Sequence, residues 1–521
     1  MKKLPLGIQT FSKLIKNNCL YVDKTQYIVN LIQAGDYLFL SRPRRFGKSL
    51  LVSTLYEIFS GNQALFQGLS IYDQIDWQPY PVIVIDFATL DFSAEMDLQD
   101  SLIQFMDSLN EDYQLNVNSQ GFKTYFKNII VAIHKKYGKV VVLVDEYDKP
   151  IVEYMDNIAL ATKNRDLLNQ FFGVLKSSEA FLRFVFLTGV SKFARVSIFS
   201  GLNNLRDLTF SHQFANLLGY TQEELETNFE PHLQHLSLAL GRSKAELLAQ
   251  IKMWYNGYSW NAKDRLYNPF SILNLLAEQQ FDNYWFVSGT PTFLMQLLKN
   301  NAYEATVFEN KKVPKIVFDS YNIENMNVFA LLFQTGYLTI THIDTQADFT
   351  EYTLNYPNFE VKQAFLTYLF KTFTHNGLEE IQPAAKSLRH YLQTENFEGF
   401  MTLIRTLLAK IPYPLHIEPE AYYHSLFYMI AILMGVEIDL EVLTDKGRID
   451  GVLALTDKIY LLEFKYGKAG TSMKTLINQA IQQIRAKHYG ERFLNDPRPR
   501  FLLGIGFVNQ EMDYKLFQAK D

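Results

Sequence analysis

Residues 37–50 read Tyr-Leu-Phe-Leu-Ser-Arg-Pro-Arg-Arg-Phe-Gly-Lys-Ser-Leu, and their reading decides the fold. The apolar run Tyr37–Leu40 is short enough to be a buried strand. A Gly47-Lys48-Ser49 turn follows it. Leu50, Leu51, Leu55, Ile58 and Phe59 then recur at helical spacing. Strand, loop and helix in this order wrap backbone N–H groups and a helix N-terminus around phosphates. Lys48 would reach the outer phosphates, and the Ser49 hydroxyl would hold Mg²⁺. Arg45, Phe46, Gly47, Lys48, Ser49 and Leu50 are the expected nucleotide-contacting residues. Arg42 stands where the general pattern Gly-x-x-x-x-Gly-Lys-Ser/Thr has its first glycine.

Working outward, Val82–Phe87, Val140–Val144 and Phe184–Leu187 are further buried-strand candidates with helical stretches between them. Strands alternating with helices predict a parallel α/β sheet of the P-loop NTPase kind, covered on both faces. The strand at Val140 ends in Asp145-Glu146, as a Walker B element requires: Asp145 supports Mg²⁺, and Glu146 prepares the hydrolytic water. Alternatively, the two carboxylates only cap the next segment. Thr188, after the following strand, is either a γ-phosphate sensor or a satisfied strand end. Arg195 and Arg206 either contact phosphate or are solvated.

The chain has 521 residues, which at about 100–200 per domain suggests about three domains. Hydrophobic residues make up 48% and aromatics 15%, enough for large cores, which excludes a disordered chain. A net charge of −5 excludes a globally basic nucleic-acid coat but leaves room for a local basic groove. Cys19 is the only cysteine, so neither a disulfide framework nor a cysteine-based zinc site can form within one chain. With no apolar run of signal-peptide or membrane-span length, the expectation is a cytoplasmic protein.

Strand signals fade over about 215–310, where Thr221-Gln-Glu-Glu224 forms a capping box and aromatics are frequent; this reads as a helical subdomain. Residues 311–410 mix short strands (Tyr337–Ile340, Phe349–Leu354) with helices (Val361–Phe373, Phe397–Leu408). The clearest break is Ile411-Pro-Tyr-Pro414. Beyond it, helix Pro419–Met434, strands Val436–Leu443, Arg448–Leu455 and Ile459–Phe464, helix Leu476–Tyr489 and a last strand Phe501–Phe507 predict a separate α/β domain over 411–521.

In this domain Glu463 and Lys465 are two apart on one strand and share a face. If Thr456-Asp457 is a two-residue hairpin turn, Asp450 falls opposite Glu463, with Cβ atoms ~5 Å apart. Opposed carboxylates repel, and a divalent cation with oxygen preference, Mg²⁺ or Mn²⁺, relieves the repulsion. Lys465 could then orient a water or stabilise a phosphorane-like transition state. The alternative is a surface ion pair at a sheet edge, although Ile459–Phe464 is too apolar for a freely exposed strand. Glu420, in the first turn of the preceding helix, is either a third acidic metal ligand or a helix-dipole partner. Gln483, Arg485, Lys487 and Tyr489 either line a nucleic-acid groove or form a solvated basic face.

Together, YVDKT (Tyr21–Thr25), SRPRRFGKSL (Ser41–Leu50), VDEYDKP (Val144–Pro150) and TGVSKFARVSIFSGLNNL (Thr188–Leu205) resemble the bacterial AAA-ATPase-like family, whose own variant of the loop is RPRRFGKS. YHSLFYMIAILMG, GRID, LLEFKYGKAG and QIRAKHY look like the PD-(D/E)XK nuclease-superfamily domain often fused to it, a restriction-endonuclease-like α/β fold. The resemblance implies ATP contacts by Lys48 and Ser49, a Walker B pair at Asp145 and Glu146, and nuclease-type residues at Asp450, Glu463 and Lys465. Glu420 matches the superfamily's helical acid and Gln483 its glutamine after the core.

The expected organisation is a P-loop AAA-ATPase-like domain over 1–214, a helical subdomain over 215–310, a mixed connecting region over 311–410 and the nuclease-like domain over 411–521. The expected function is ATP binding and hydrolysis, with the ATP state regulating Mg²⁺-dependent cleavage of DNA, or of RNA. The alternative is a nucleotide-dependent switch that binds nucleic acid or protein with little cleavage.

Overall fold

The computed structural model describes residues 1–92, 97–118, 121–192, 198–199, 202–285, 305–318, 327–346, 349–374, 378–409, 419–444, 447–455, 457–468, 470–487, 493, 495–508 and 511–518. The chain divides into two compact units. The first comprises Met1–Gly289 with Phe308–Val361, and the second Thr290–Val307 with Lys362–Asp521. The middle segment, in which strand signals fade, therefore groups largely with the N-terminal part. Ile411–Pro414, Arg195 and Tyr489 lie outside the described residues.

The first unit is built on a five-stranded parallel sheet of β1 (Tyr37–Ser41), β2 (Val82–Asp86), β3 (Val140–Asp145), β4 (Leu182–Gly189) and β5 (Arg206–Asp207), in the order β2-β3-β4-β1-β5. Strands β1 and β3 are buried along their whole length, as expected for β-branched and aromatic runs covered on both faces. On one face the Lys48–Phe59 helix packs Leu51, Leu55 and Ile58 into a cluster with Leu38, Leu40, Val141, Leu143, Phe184 and Phe186. Elsewhere Phe126 of the Phe122–Tyr137 helix stacks on Phe171 of the Ile158–Ser177 helix, with ring centroids 4.3 Å apart.

The segment after Phe214 forms a second core in which Leu225, Leu233, Leu247, Ile251 and Ile272 meet. Its helices start as their sequences dictate: Thr221/Glu224 and Ser243/Glu246 each make a reciprocal capping box. The aromatic stretch at 253–260 is not wholly helical. Its second half enters a two-stranded ribbon, β6 (Asn256–Tyr258) with β7 (Leu266–Tyr267), because the Asn261 side chain closes the intervening turn by accepting from the Lys263 and Asp264 N–H groups. A three-stranded sheet, β8 (Lys311–Pro314), β10 (Phe349–Asn355) and β9 (Thr339–Gln346), completes the unit.

The second unit carries the sheet β11 (Glu437–Thr444), β12 (Gly447–Ala454), β13 (Ile459–Gly467), β14 (Arg500–Val508) and β15 (Glu511–Gln518), in that order. All pairs are antiparallel except β13 with β14, whose parallel pairing requires the crossover helix Met473–Ala486. The last strand among the described residues is β15, one beyond the Phe501–Phe507 segment expected to be last. It is half-buried at the sheet edge, and its polar-apolar alternation EMDYKLFQ lacks the continuous apolar run that marks β14. The β12–β13 turn is the expected two-residue one: the Leu455 N–H donates to the Lys458 carbonyl, and Ala454 pairs with Ile459.

Candidate functional sites

The phosphate loop leaves the C-terminal end of β1, between β4 and β5. Arg45 and Gly47 both hold positive φ, 64° and 93°, which turns successive N–H groups toward a common concavity. Gly47 takes this conformation without steric cost, whereas Arg45 is strained. Lys48 is buried, and its ammonium donates to the Arg42 and Pro43 carbonyls, 3.0 Å each. Burial lowers its pKa, and the nearby Asp145, Glu146 and Asp148 carboxylates oppose that.

Arg42, in place of the first glycine, does not line the concavity. It is fully buried, fanning out to the Ser41, Thr209 and Phe214 carbonyls at 2.9, 3.1 and 3.1 Å, and it stacks 4.0 Å over Trp260. Burial pushes its pKa down to about 9. The guanidinium is thus a post beneath the loop, a role that no motif pattern indicates.

Asp145 ends β3, and β4 separates it from β1. Its carboxylate accepts from the Ser49 hydroxyl and from the Glu146 N–H, at 2.9 Å for the latter. The structure thus joins the two motif residues expected to share a Mg²⁺. Burial raises the pKa of both Asp145 and Glu146. Glu146 sits at φ 50°, a strained position for a non-glycine residue, beside the candidate site.

Asp148 lies in the quoted motif VDEYDKP but carries no expected role there. Its carboxylate accepts from the Val190 and Ser191 N–H groups and from the Ser191 hydroxyl, at 3.2, 2.7 and 2.5 Å. It clamps the loop after β4 against β3. Gly189 is required there, since a Cβ would stand 2.4 Å from the Asp148 Oδ1. Thr188 is a satisfied strand end, its hydroxyl donating to the Leu40 carbonyl at 2.8 Å. Arg206 is anchored on the Ala34 carbonyl, ahead of β1.

The loop's outer side is gripped by the middle segment. Phe46 packs edge-on against Tyr258 and Trp260, and the Arg45 guanidinium lies 3.8 Å over Phe270. Leu50 follows Ser49 on the helix and packs against the sheet's core.

In the second unit the backbone pairing of β12 with β13 runs from Ala454/Ile459 to Gly451/Leu462. One residue further, the Asp450 carboxylate takes the place of a strand carbonyl and accepts from the Phe464 N–H at 2.8 Å. Glu463 is fully buried, and its Oε1 accepts from the Lys465 ammonium at 2.8 Å. Glu463 and Lys465 pair with Gly504 and Gly506 of β14, where any Cβ would crowd Ile481 or Met473 of the crossover helix. These glycines let the helix lie close beside Glu463 and Lys465.

Glu420 falls in the first turn of the Pro419–Leu433 helix. Among the described residues no three His, Cys, Asp or Glu side chains are gathered as a metal cluster. Asp450 and Glu463 supply two hard oxygen donors at one end of the β12–β13 ladder, a donor set that fits a divalent cation completed by water and substrate oxygens. On the crossover helix Gln483 is half-buried, Arg485 lies 4.8 Å over Phe517, and Lys487 is exposed. No helix among the described residues is long and apolar enough to cross a membrane.

Two family profiles match the chain: "Predicted AAA-ATPase" over residues 5–199 and "PD-(D/E)XK nuclease superfamily" over residues 418–516. An uncharacterised protein from the vnfD 5′ region of Azotobacter chroococcum mcd 1 is 36% identical over 514 residues, covering 97% of this chain and 96% of that protein. Among solved structures, the ORC1 protein of Aeropyrum pernix in complex with DNA aligns over 66% of this chain and 90% of its own, at 9% identity and a TM-score of 0.24. The ORC2 protein of the same organism aligns over 66% and 92%, at 11% identity and a TM-score of 0.25. The chain belongs to the bacterial AAA-ATPase-like family that joins such a domain to a C-terminal PD-(D/E)XK nuclease-superfamily domain.

Proposed function

We propose that the protein is a cytoplasmic ATPase whose nucleotide state regulates a metal-dependent DNase carried on the same chain. The observation that supports this reading is that one chain carries two clusters of residues with these chemistries. Ser49 and Asp145 meet below the Gly47-Lys48 turn, and Asp450, Glu463 and Lys465 are gathered at one end of the β12–β13 ladder. The single cysteine fits a reducing compartment.

In the first unit Arg45, Phe46, Gly47 and Leu50 present loop and helix N–H groups to the phosphates, and Lys48 exchanges its two loop carbonyls for phosphate oxygens. Ser49 and Asp145 would hold Mg²⁺, and Glu146 prepares the hydrolytic water. In the second unit Asp450 and Glu463 would hold Mg²⁺ or Mn²⁺, with Glu420 as a further acid; the cation supplies charge neutralisation at the phosphodiester. Lys465, steadied by Glu463, orients the attacking water. Gln483, Arg485, Lys487 and Tyr489 meet the nucleic-acid backbone.

The test is cleavage of linear, circular and single-stranded DNA with Mg²⁺ or Mn²⁺, with and without ATP, beside Glu463→Ala and Lys48→Ala. Cleavage that is lost in Glu463→Ala and altered by ATP supports the reading. ATP binding without cleavage under any condition replaces it with a nucleotide-dependent binding switch.

A further inference from the structure

The peptide between Arg44 and Arg45 forms part of the phosphate loop, and its orientation is fixed from outside. The Arg44 carbonyl accepts from the Trp285 indole N–H at 3.2 Å and from the Asn268 amide at 3.4 Å. No described peptide is cis, and in a trans peptide the C=O and N–H point in opposite directions. Holding the carbonyl outward therefore turns the Arg45 N–H inward. Arg45 pays for this with a positive φ, a strain that persists only where the surroundings over-determine it.

Those surroundings are built for the purpose. Trp285 is buried, its ring set edge-on 5.3 Å from Tyr337, and its own N–H donates to Glu360 Oε1 at 2.7 Å. The other Glu360 oxygen accepts from the Ser271 hydroxyl at 2.8 Å. Ser271 lies on the Pro269–Glu278 helix, which Asn268 caps by accepting from the Phe270 N–H. The buried Glu360 carboxyl thus holds the Trp285 backbone directly and, through Ser271, the helix that Asn268 caps. Gly336 presses on Pro43 and Trp285 from a third side, where a Cβ would stand 2.8 Å from the proline ring.

We propose that Trp285, with Asn268 and backed by Glu360, is a positioning residue for the nucleotide. It orients the Arg44–Arg45 peptide so that the Arg45 N–H meets the phosphates. This rests on the ATP-site reading above and assigns that site a part that lies outside the loop itself.

The experiment is calorimetric titration of ATP, ADP and adenosine into the full chain, wild type against Trp285→Phe. A second variant carries 3-benzothienyl-alanine at position 285, which keeps the ring shape and deletes only the N–H donor. The expected result is about a tenfold loss of ATP and ADP affinity in both variants, the size of one hydrogen bond, with adenosine binding unchanged. Wild-type ATP affinity in the benzothienyl variant overturns the proposal. So does an equal loss for adenosine and ATP, which would mean that Trp285 only packs. Failure of the wild-type chain to bind ATP would overturn the nucleotide reading itself, and this inference with it.

Discussion

The Lys48 ammonium donates to the Arg42 carbonyl of its own loop at 3.0 Å, so the side chain expected to bind phosphate is held in place before any ligand arrives. Nucleotide must replace this bond and its twin to Pro43 with charge-assisted bonds to phosphate, each worth about 1.5–3 kcal/mol. Lys48→Ala is therefore expected to weaken ATP binding by about a hundredfold or more while circular dichroism shows both units folded. Retained affinity in a direct titration would remove Lys48 from the site.

Glu360 makes stability depend on pH. Burial raises its pKa from the ordinary 4.5 to about 8. Between those values the unfolded chain has released the proton and the folded chain retains it, so stability falls as pH rises from about 4.5 to 8 and levels off above that. Glu360→Gln removes this contribution. Melting temperatures taken from pH 5 to 8 are expected to fall more steeply for the wild type than for Glu360→Gln. Parallel curves would mean that the carboxylate is ionised throughout.

Lys465 touches a fully buried carboxylate, and removing one partner of such a contact is costly. Lys465→Ala is expected to melt several degrees below wild type in chelator. Mn²⁺ should narrow the gap, because the cation supplies positive charge to Glu463 and Asp450. Glu463→Gln should lose the Mn²⁺-dependent rise in melting temperature. An undiminished Mn²⁺ shift in that variant would place the metal elsewhere.

Arg42 satisfies three carbonyls with one planar group and covers Trp260. A lysine keeps the charge but loses the fan and the stacking. Arg42→Lys is expected to cost about 2–4 kcal/mol in urea unfolding, within the range for breaking a buried network. A change below about 0.5 kcal/mol would show that the loop does not stand on this residue.

Much of this molecule is written locally. The apolar runs ending at Leu40 and Val144, the Gly47-Lys48-Ser49 turn and the Asp145-Glu146 pair announce strand ends and their chemistry, because each depends on neighbours in sequence. The β12–β13 register also follows from a two-residue turn and the strict alternation of side chains. The edge strand β15 escaped notice because half-burial leaves no continuous apolar run.

Only the tertiary structure decided what supports the loop. Arg42 faces carbonyls from residues 209 and 214, Asp148 clamps residues 190 and 191, and Trp285 reaches Arg44 across 241 positions of chain. A buried polar group must find partners wherever the fold brings them, and that search is three-dimensional. The sequence by itself determined which residues carry the chemistry, since residue type and near spacing set it. The tertiary structure decided which residues hold them in position, since partners tens to hundreds of residues apart meet only once the chain has packed.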